Sequence, residues 1–173
     1  MSNGPSGIGF VECELLRSAS DDGAHSGEAT PHSHAQRREV VVNGTRVRTV
    51  DVHAHCAVPA ALAVLGRDCE KAELLMTDNS VRIAAMDEQG IDVSALSINP
   101  YWYHAERDEA AELIKVQNDA LAEICATTPD RFVAFATIAL QHPELAIEQI
   151  AYGVKNLGMR GVSVGCGVEG QEL

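Results

Sequence analysis

The sharpest chemical feature of the sequence is a pair of histidines, His53 and His55, separated by one alanine. In an extended chain, residues two apart project to the same side, so both imidazoles can reach one metal ion. Asp51 lies two residues before the pair, where its carboxylate can orient a ligand. The equally spaced His32 and His34 lie in a polar segment, and we interpret them as incidental, with weak adventitious metal binding as the alternative. Spacing and position predict a metal-ligand pair at His53 and His55, with two ordinary strand-end histidines as the alternative.

An aromatic segment forms a second candidate site. Tyr101, Trp102 and Tyr103 follow Asn99 closely, just after an apolar run. Loops at the carboxyl ends of barrel strands line the substrate site in α/β enzymes. We therefore predict that Asn99 and Trp102 contact the substrate, while packing within the loop explains the aromatic side chains equally well.

Strand-like and helix-like segments alternate beyond residue 48. Apolar runs predict strands that begin near residues 48, 91, 132 and 159. Helices are predicted between them: one capped by Asn79 or Ser80 and stopped by Gly90, one over residues 107–126, and one from Pro143 to Gly158. Helical crossovers usually join parallel strands, so the fold class is α/β with parallel (β/α) repeats. A complete eight-unit TIM barrel takes about 250 residues, so the available length predicts roughly its first half.

Two segments are predicted to precede these repeats. Residues 1–38 are rich in Gly, Ser, Ala, His and Asp and lack apolar periodicity, which is typical of a disordered leader. Residues 40–42 and 46–50 flank Asn43-Gly44, a dipeptide typical of two-residue hairpin turns. We therefore predict a leader at 1–38 and a partial barrel domain at 39–173 that opens with a β-hairpin.

Composition excludes several classes of protein. Lys and Arg total 13 against 25 Asp and Glu, a formal net charge of -12, which argues against a nucleic-acid partner. The longest apolar stretch, about residues 57–65, is far shorter than the ~20 residues of a membrane span. The N-terminus lacks the features of a secretory signal, and the five cysteines include no CxxC pair. We expect reduced thiols, no membrane partner and a cytoplasmic location.

Several segments resemble a known family, in that family's order. Val50 to His55 is similar to the metal-binding opening of the amidohydrolase superfamily. Other segments resemble its aminocarboxymuconate-semialdehyde decarboxylase branch: residues 82–93 (RIAAMDEQGIDV), 118–122 (NDALA), 129–132 (PDRF) and 157–162 (LGMRGV). Together they cover about residues 50–173 and are far more specific than the histidine spacing.

This resemblance implies a TIM barrel and a divalent metal, most often zinc with manganese as the alternative. It also implies removal of CO₂ from a small unsaturated or aromatic carboxylic acid. A metal-dependent hydrolase is the alternative, because other members of the superfamily hydrolyse their substrates. Only His53 and His55 carry over as ligands; His104 and His142 do not match the remaining ligand positions, and we interpret them as loop residues.

The remaining ligands and the catalytic groups are expected beyond Leu173. A catalytic zinc needs about three protein ligands and an open position, so we expect the 173-residue chain alone to be inactive or nearly so. An open half barrel also exposes sheet edges and apolar faces. This favours a homo-oligomer, or an incomplete unit that needs a partner chain.

Overall fold

The computed structural model describes residues 37–67, 71, 74–168 and 170–172. Most of the predicted leader lies outside these residues, and so do Cys13, Cys69 and the pair His32 and His34. Arg37 and Arg38, the last two residues of that leader, belong to the folded unit. The Arg38 backbone N–H donates to the Asp87 carbonyl at 2.9 Å, and the Arg37 guanidinium binds Asp92. The unit therefore begins before the predicted boundary at residue 39.

The predicted hairpin is confirmed. Strands β1 (Val41–Val42) and β2 (Thr45–Arg46) pair antiparallel across Asn43 and Gly44. Both turn residues have positive φ, 50° and 77°. Two consecutive left-handed residues make a type I′ turn, and Asn-Gly adopts it at little steric cost.

Three parallel strands form the central sheet of the described residues: β3 (Val50–His55), β4 (Val93–Ser97) and β5 (Phe132–Ala134), in that order. The central strand β4 is buried along its whole length. Because consecutive parallel strands lie side by side, their carboxyl ends share one edge of the sheet. The α/β prediction with a parallel sheet is confirmed.

The fourth predicted strand, residues 159–165, is reduced to a single bridge. Val162 pairs in parallel with Ala136, and the Arg160 N–H donates to the Ala134 carbonyl at 2.9 Å. The segment thus lies beside β5, where a fourth strand belongs. Gly161 has no side chain to pack, and Val164 is 45% exposed, so little packing supports a longer ladder.

Helices cover the strands in the part of the chain that the structure describes: α1 (Pro59–Val64), α2 (Asn79–Gln89), α3 (Arg107–Thr127) and α4 (Pro143–Asn156). The cap of α2 is Asp78 rather than Asn79 or Ser80, because the Asp78 carboxylate accepts from the Ser80 backbone N–H at 2.8 Å. Gly90 ends α2 with φ 76°, as predicted. None of these helices is both long enough and apolar enough to span a membrane.

Helix α3 supplies much of the core. It packs against α1, α4 and β5. Its buried side chains recur at spacings of three and four: Ala110, Leu113, Ile114, Gln117, Asn118 and Leu121. Each polar member makes a hydrogen bond: Gln117 Nε2 donates to the Tyr101 hydroxyl at 2.8 Å, and Asn118 Oδ1 accepts from the Thr137 backbone N–H at 2.8 Å. This helix therefore holds the segment after β5 as well as the sheet.

A charged network joins the hairpin to the start of β4. Asp92 is buried, and one of its carboxylate oxygens accepts from the Thr49 backbone N–H at 2.7 Å. Its other carboxylate oxygen binds the guanidinium groups of Arg37 and Arg46. The bond from Thr49, followed by the two arginines, lowers the pKa of Asp92 to about 2.

This network predicts a pH dependence of stability. The folded pKa of Asp92 lies below the ~3.9 of an unfolded aspartate, so its stabilising contribution is fully present above about pH 5 and is lost as the pH falls toward 2. We expect Asp92→Asn to lower the urea midpoint at pH 7 and to reduce the loss of stability between pH 6 and pH 3. Asp108→Asn is the control, because the Asp108 side chain is 99% exposed. An equally steep acid dependence in Asp92→Asn would contradict the prediction.

Candidate metal site

His53 and His55 lie at the carboxyl end of β3 and their rings converge. Their Nε2 atoms are 2.7 Å apart, and the rings meet edge to face with centroids 4.5 Å apart. His53 is exposed and His55 is half-buried, so the pair is open to solvent on one side. The structure therefore brings together the two side chains that the sequence spacing paired.

The Nε2 separation fits shared coordination of one ion. Histidine nitrogens lie about 2.0–2.1 Å from zinc, and two atoms 2.7 Å apart can both take that distance from a single point. Neutral imidazole also suits several other divalent transition metals. Among the described residues, no group of three or more His, Cys, Asp or Glu side chains is placed to hold a metal. These residues thus offer two nitrogen ligands and not a complete coordination sphere.

Neighbouring elements hold His55 in place. Ser97 Oγ lies 3.2 Å from His55 Nδ1, and the Arg82 guanidinium donates to the His55 carbonyl at 2.8 Å. Ser97 ends β4 and is the register partner of His55, while Arg82 lies on α2. Ring and backbone of His55 are therefore positioned from two different elements.

Burial lowers the pKa of His55, and the adjacent His53 lowers it further. Arg82 acts in the same direction, whereas the Asp51 carboxylate raises the pKa. A lowered pKa favours the neutral ring, which is the form that has a lone pair for a metal. The His55 environment therefore suits a ligand at neutral pH.

Asp51 and Cys56 flank the pair but act on other groups. Asp51 Oδ1 accepts from the His53 backbone N–H at 3.0 Å, so the predicted orienting carboxylate holds the backbone of a histidine rather than a ring nitrogen. The Cys56 thiol lies 3.4 Å from the Ser97 carbonyl oxygen, and burial raises its pKa to about 12. Only thiolates ligate metals well, so Cys56 is a poor ligand.

The predicted substrate-binding residues have opposite environments. Trp102 is fully buried, and its indole N–H donates to the Ile138 carbonyl at 2.8 Å. Gln141 in turn donates to the Trp102 carbonyl at 2.8 Å. For Trp102 this geometry favours the packing interpretation, because the ring ties its loop to the segment after β5. Asn99 is exposed just beyond β4, and its contact with substrate stays a prediction.

An open cavity of about 460 Å³ adjoins this loop. Its lining combines aromatic rings with glycines: Pro100, Tyr101, Tyr103, His104, Gly167 and Gly170. His104 is exposed, and His142 Nε2 lies 3.1 Å from the Ala105 carbonyl oxygen. Neither His104 nor His142 forms a metal-binding group with His53 and His55 among the described residues. This agrees with the interpretation of His104 and His142 as loop residues.

Sequence reasoning assigned no role in the site to Ser97 or to Arg82. A usable signal for Ser97 exists, because the ends of neighbouring parallel strands lie side by side and Ser97 closes the second strand as His55 closes the first. No comparable local signal indicates that Arg82 reaches the His55 carbonyl.

The sequence pattern of the amidohydrolase family matches residues 50–173. The chain belongs to the amidohydrolase family. Among the proteins that this chain resembles is 2-amino-3-carboxymuconate-6-semialdehyde decarboxylase of Dictyostelium discoideum, which is 26% identical over 126 residues, 72% of this chain and 35% of the relative. Gamma-resorcylate decarboxylase of Rhizobium sp. (strain MTP-10005) is 40% identical over 92 residues, 52% of this chain and 28% of the relative. The resemblance predicted from the sequence is confirmed.

Solved structures support the same fold. Dihydroxybenzoic acid decarboxylase from Polaromonas sp. JS666, with bound manganese and the inhibitor 2-nitroresorcinol, superposes on this chain with a TM-score of 0.54 and 32% identity. The match covers 66% of this chain and 37% of that one. The chain thus spans about a third of the length of these relatives. The predicted partial TIM-type barrel is confirmed.

Proposed function

We propose that this chain provides two metal ligands and part of the substrate site of a metal-dependent decarboxylase for an aromatic or unsaturated carboxylic acid. The observation that carries the proposal is the convergence of His53 and His55 at the carboxyl end of β3, where barrels of this type place their chemistry. The relatives named above are decarboxylases, which favours decarboxylation over the hydrolase alternative.

The proposed cofactor is a divalent ion on the two Nε2 atoms. Zinc is the metal that the family resemblance implies, and the manganese in the Polaromonas structure makes manganese an equal candidate. When bound, such an ion acts as a Lewis acid that polarises a substrate oxygen. The chain itself holds His55 through Ser97 and Arg82, and leaves His53 open to solvent.

The substrate is proposed to lie at the same edge, beside Asn99 and the open cavity. The Asn99 amide can donate to a carboxylate. Arg67 adds positive charge nearby: its guanidinium carbon lies 5.9 Å from the centroid of the Tyr101 ring, and its Nη1 donates to the Tyr101 carbonyl at 3.3 Å. Trp102 contributes by anchoring the loop that carries Asn99 and Tyr101.

Exposed valines support association with further protein. Val50 and Val52 on β3 are 51% and 68% exposed, and Val164 at the opposite edge is 45% exposed. Covering such side chains is favourable, so we propose that a second copy or another chain packs on these edges and completes the site. The cytoplasmic location stays a prediction from the sequence.

The test is metal-dependent CO₂ release from gamma-resorcylate by the protein as translated from its native transcript. After chelation, adding Mn²⁺ or Zn²⁺ is expected to restore release, and His55→Ala is expected to abolish it. His142→Ala is the matched control. We expect no release from the 173-residue polypeptide by itself. Absence of release both from ortho-hydroxy aromatic acids and from 2-amino-3-carboxymuconate-6-semialdehyde, by the native protein with either metal, would contradict decarboxylation. Metal-dependent ester or amide cleavage would favour the hydrolase.

A further inference from the structure

We infer that Ser97 is a positioning residue that sets the tautomer of His55. Its hydroxyl accepts a hydrogen bond from Nδ1–H, which leaves the Nε2 lone pair directed toward His53 and a shared metal ion. The inference rests on the proposed function only in assigning a metal to the two histidines.

The first support is the fixed position of Ser97. It is 5% exposed and pairs in register with His55 across β3 and β4. Its carbonyl accepts from the Cys56 backbone N–H at 2.9 Å, so the ladder holds the serine backbone against β3. Its Oγ then lies 3.2 Å from His55 Nδ1. In this buried position few water molecules can replace the hydroxyl as a partner of Nδ1.

The second support is the chemistry of a neutral imidazole, which carries one proton on either Nδ1 or Nε2. With the proton on Nδ1, the ring donates to Ser97 Oγ and Nε2 is free to ligate. With the proton on Nε2, the ring cannot ligate through that atom. Histidine ligands usually donate their other N–H to a neighbouring acceptor, and Ser97 is the group placed to accept here.

The third support is the short contact between the two rings. Nε2 atoms 2.7 Å apart cannot both present lone pairs without repulsion, so in the metal-free protein one of them donates to the other. His53 is exposed and can exchange its proton with water, whereas His55 is half-buried and bonded to Ser97. The geometry therefore assigns the donor role to His53 and the acceptor role to His55.

Removing the hydroxyl reverses this assignment. Without Ser97 Oγ, a proton on His55 Nδ1 has no hydrogen-bond acceptor among the described residues, so it moves to Nε2, where His53 can accept it. A metal ion must then displace that proton. We expect Ser97→Ala to weaken binding of Zn²⁺ by about 10-fold or more, within the range typical of lost partners of metal ligands.

The experiment uses the whole chain with ¹⁵N-labelled histidine. NMR of the metal-free protein, at a pH where His55 is neutral, reports its tautomer, and a titration with Zn²⁺ reports affinity. The expected result is the Nδ1–H form in the wild-type protein and the Nε2–H form in Ser97→Ala, with weaker Zn²⁺ binding. Ser97→Thr keeps a hydroxyl and is expected to restore both. Ser94→Ala is the matched control, a 2% exposed serine on the same strand, and is expected to change neither.

Two results overturn the inference. One is a wild-type His55 in the Nε2–H form, a result that contradicts the inference even if Ser97→Ala does not fold. The other is a folded Ser97→Ala protein whose tautomer and Zn²⁺ affinity match those of the wild type. Because the tautomer is measured without metal or substrate, failure of the proposed decarboxylase activity is a separate result.

Discussion

Replacing His55 with alanine is expected to lower the affinity of the protein for Zn²⁺ or Mn²⁺ by about 100-fold or more. The described residues place two imidazole nitrogens 2.7 Å apart, so the variant loses one of two converging ligands. Four-ligand zinc sites bind with about 10–16 kcal/mol, or ~3 kcal/mol per ligand, and each 1.4 kcal/mol is a factor of ten in affinity. His53→Ala is expected to have a similar effect.

Isothermal titration of the metal-free protein at pH 7.5 measures this loss. His142→Ala is the matched control, since it removes an imidazole that bonds the Ala105 carbonyl outside the pair. If the two histidines bind one ion, the double variant His53→Ala/His55→Ala loses less metal-binding free energy than the sum of the losses in the two single variants. Affinity that survives both single substitutions would show that the metal binds elsewhere.

Trp102→Ala is expected to destabilise the folded protein by about 3–5 kcal/mol, the usual cost of deleting a large buried aromatic ring. The ring is 0% exposed and contacts the rings of Tyr101 and Tyr103 edge to face. The substitution also leaves the Ile138 carbonyl without its indole donor. Domains of this size are stable by about 5–15 kcal/mol, so the variant is expected to be close to unfolding at 37 °C.

Urea unfolding with a fixed m-value measures this loss of stability. The variant Trp102→Phe separates the contribution of the buried ring from that of the indole hydrogen bond. Phenylalanine keeps most of the apolar volume but cannot donate to Ile138, so we expect a smaller loss of about 1–3 kcal/mol. If Trp102 only contacted the substrate, replacing it would lower the affinity for ligand with little change in the free energy of unfolding. A loss of stability below about 1 kcal/mol for Trp102→Ala would therefore favour the interpretation that Trp102 contacts the substrate.

Features that depend on a few consecutive residues could be predicted from the sequence. Asn43-Gly44 predicts the hairpin because these residues tolerate positive φ, and Gly90 ends α2 for the same reason. His53 and His55 converge because side chains in a strand alternate with a period of two. Apolar periodicity predicts the order of strands and helices because each element buries one face.

Features that depend on distant partners were decided by the tertiary structure. Ser97 and His55 are 42 residues apart, Trp102 and Ile138 are 36 apart, and Arg82 and His55 are 27 apart. Local pattern carries no information about which side chain fills the gap beside a given ring or carbonyl. The sequence by itself therefore determined the family, the parallel (β/α) order and the histidine pair. Only the tertiary structure buried Trp102, shortened the fourth strand and placed Ser97 on His55, because each of these depends on packing between segments far apart in the chain.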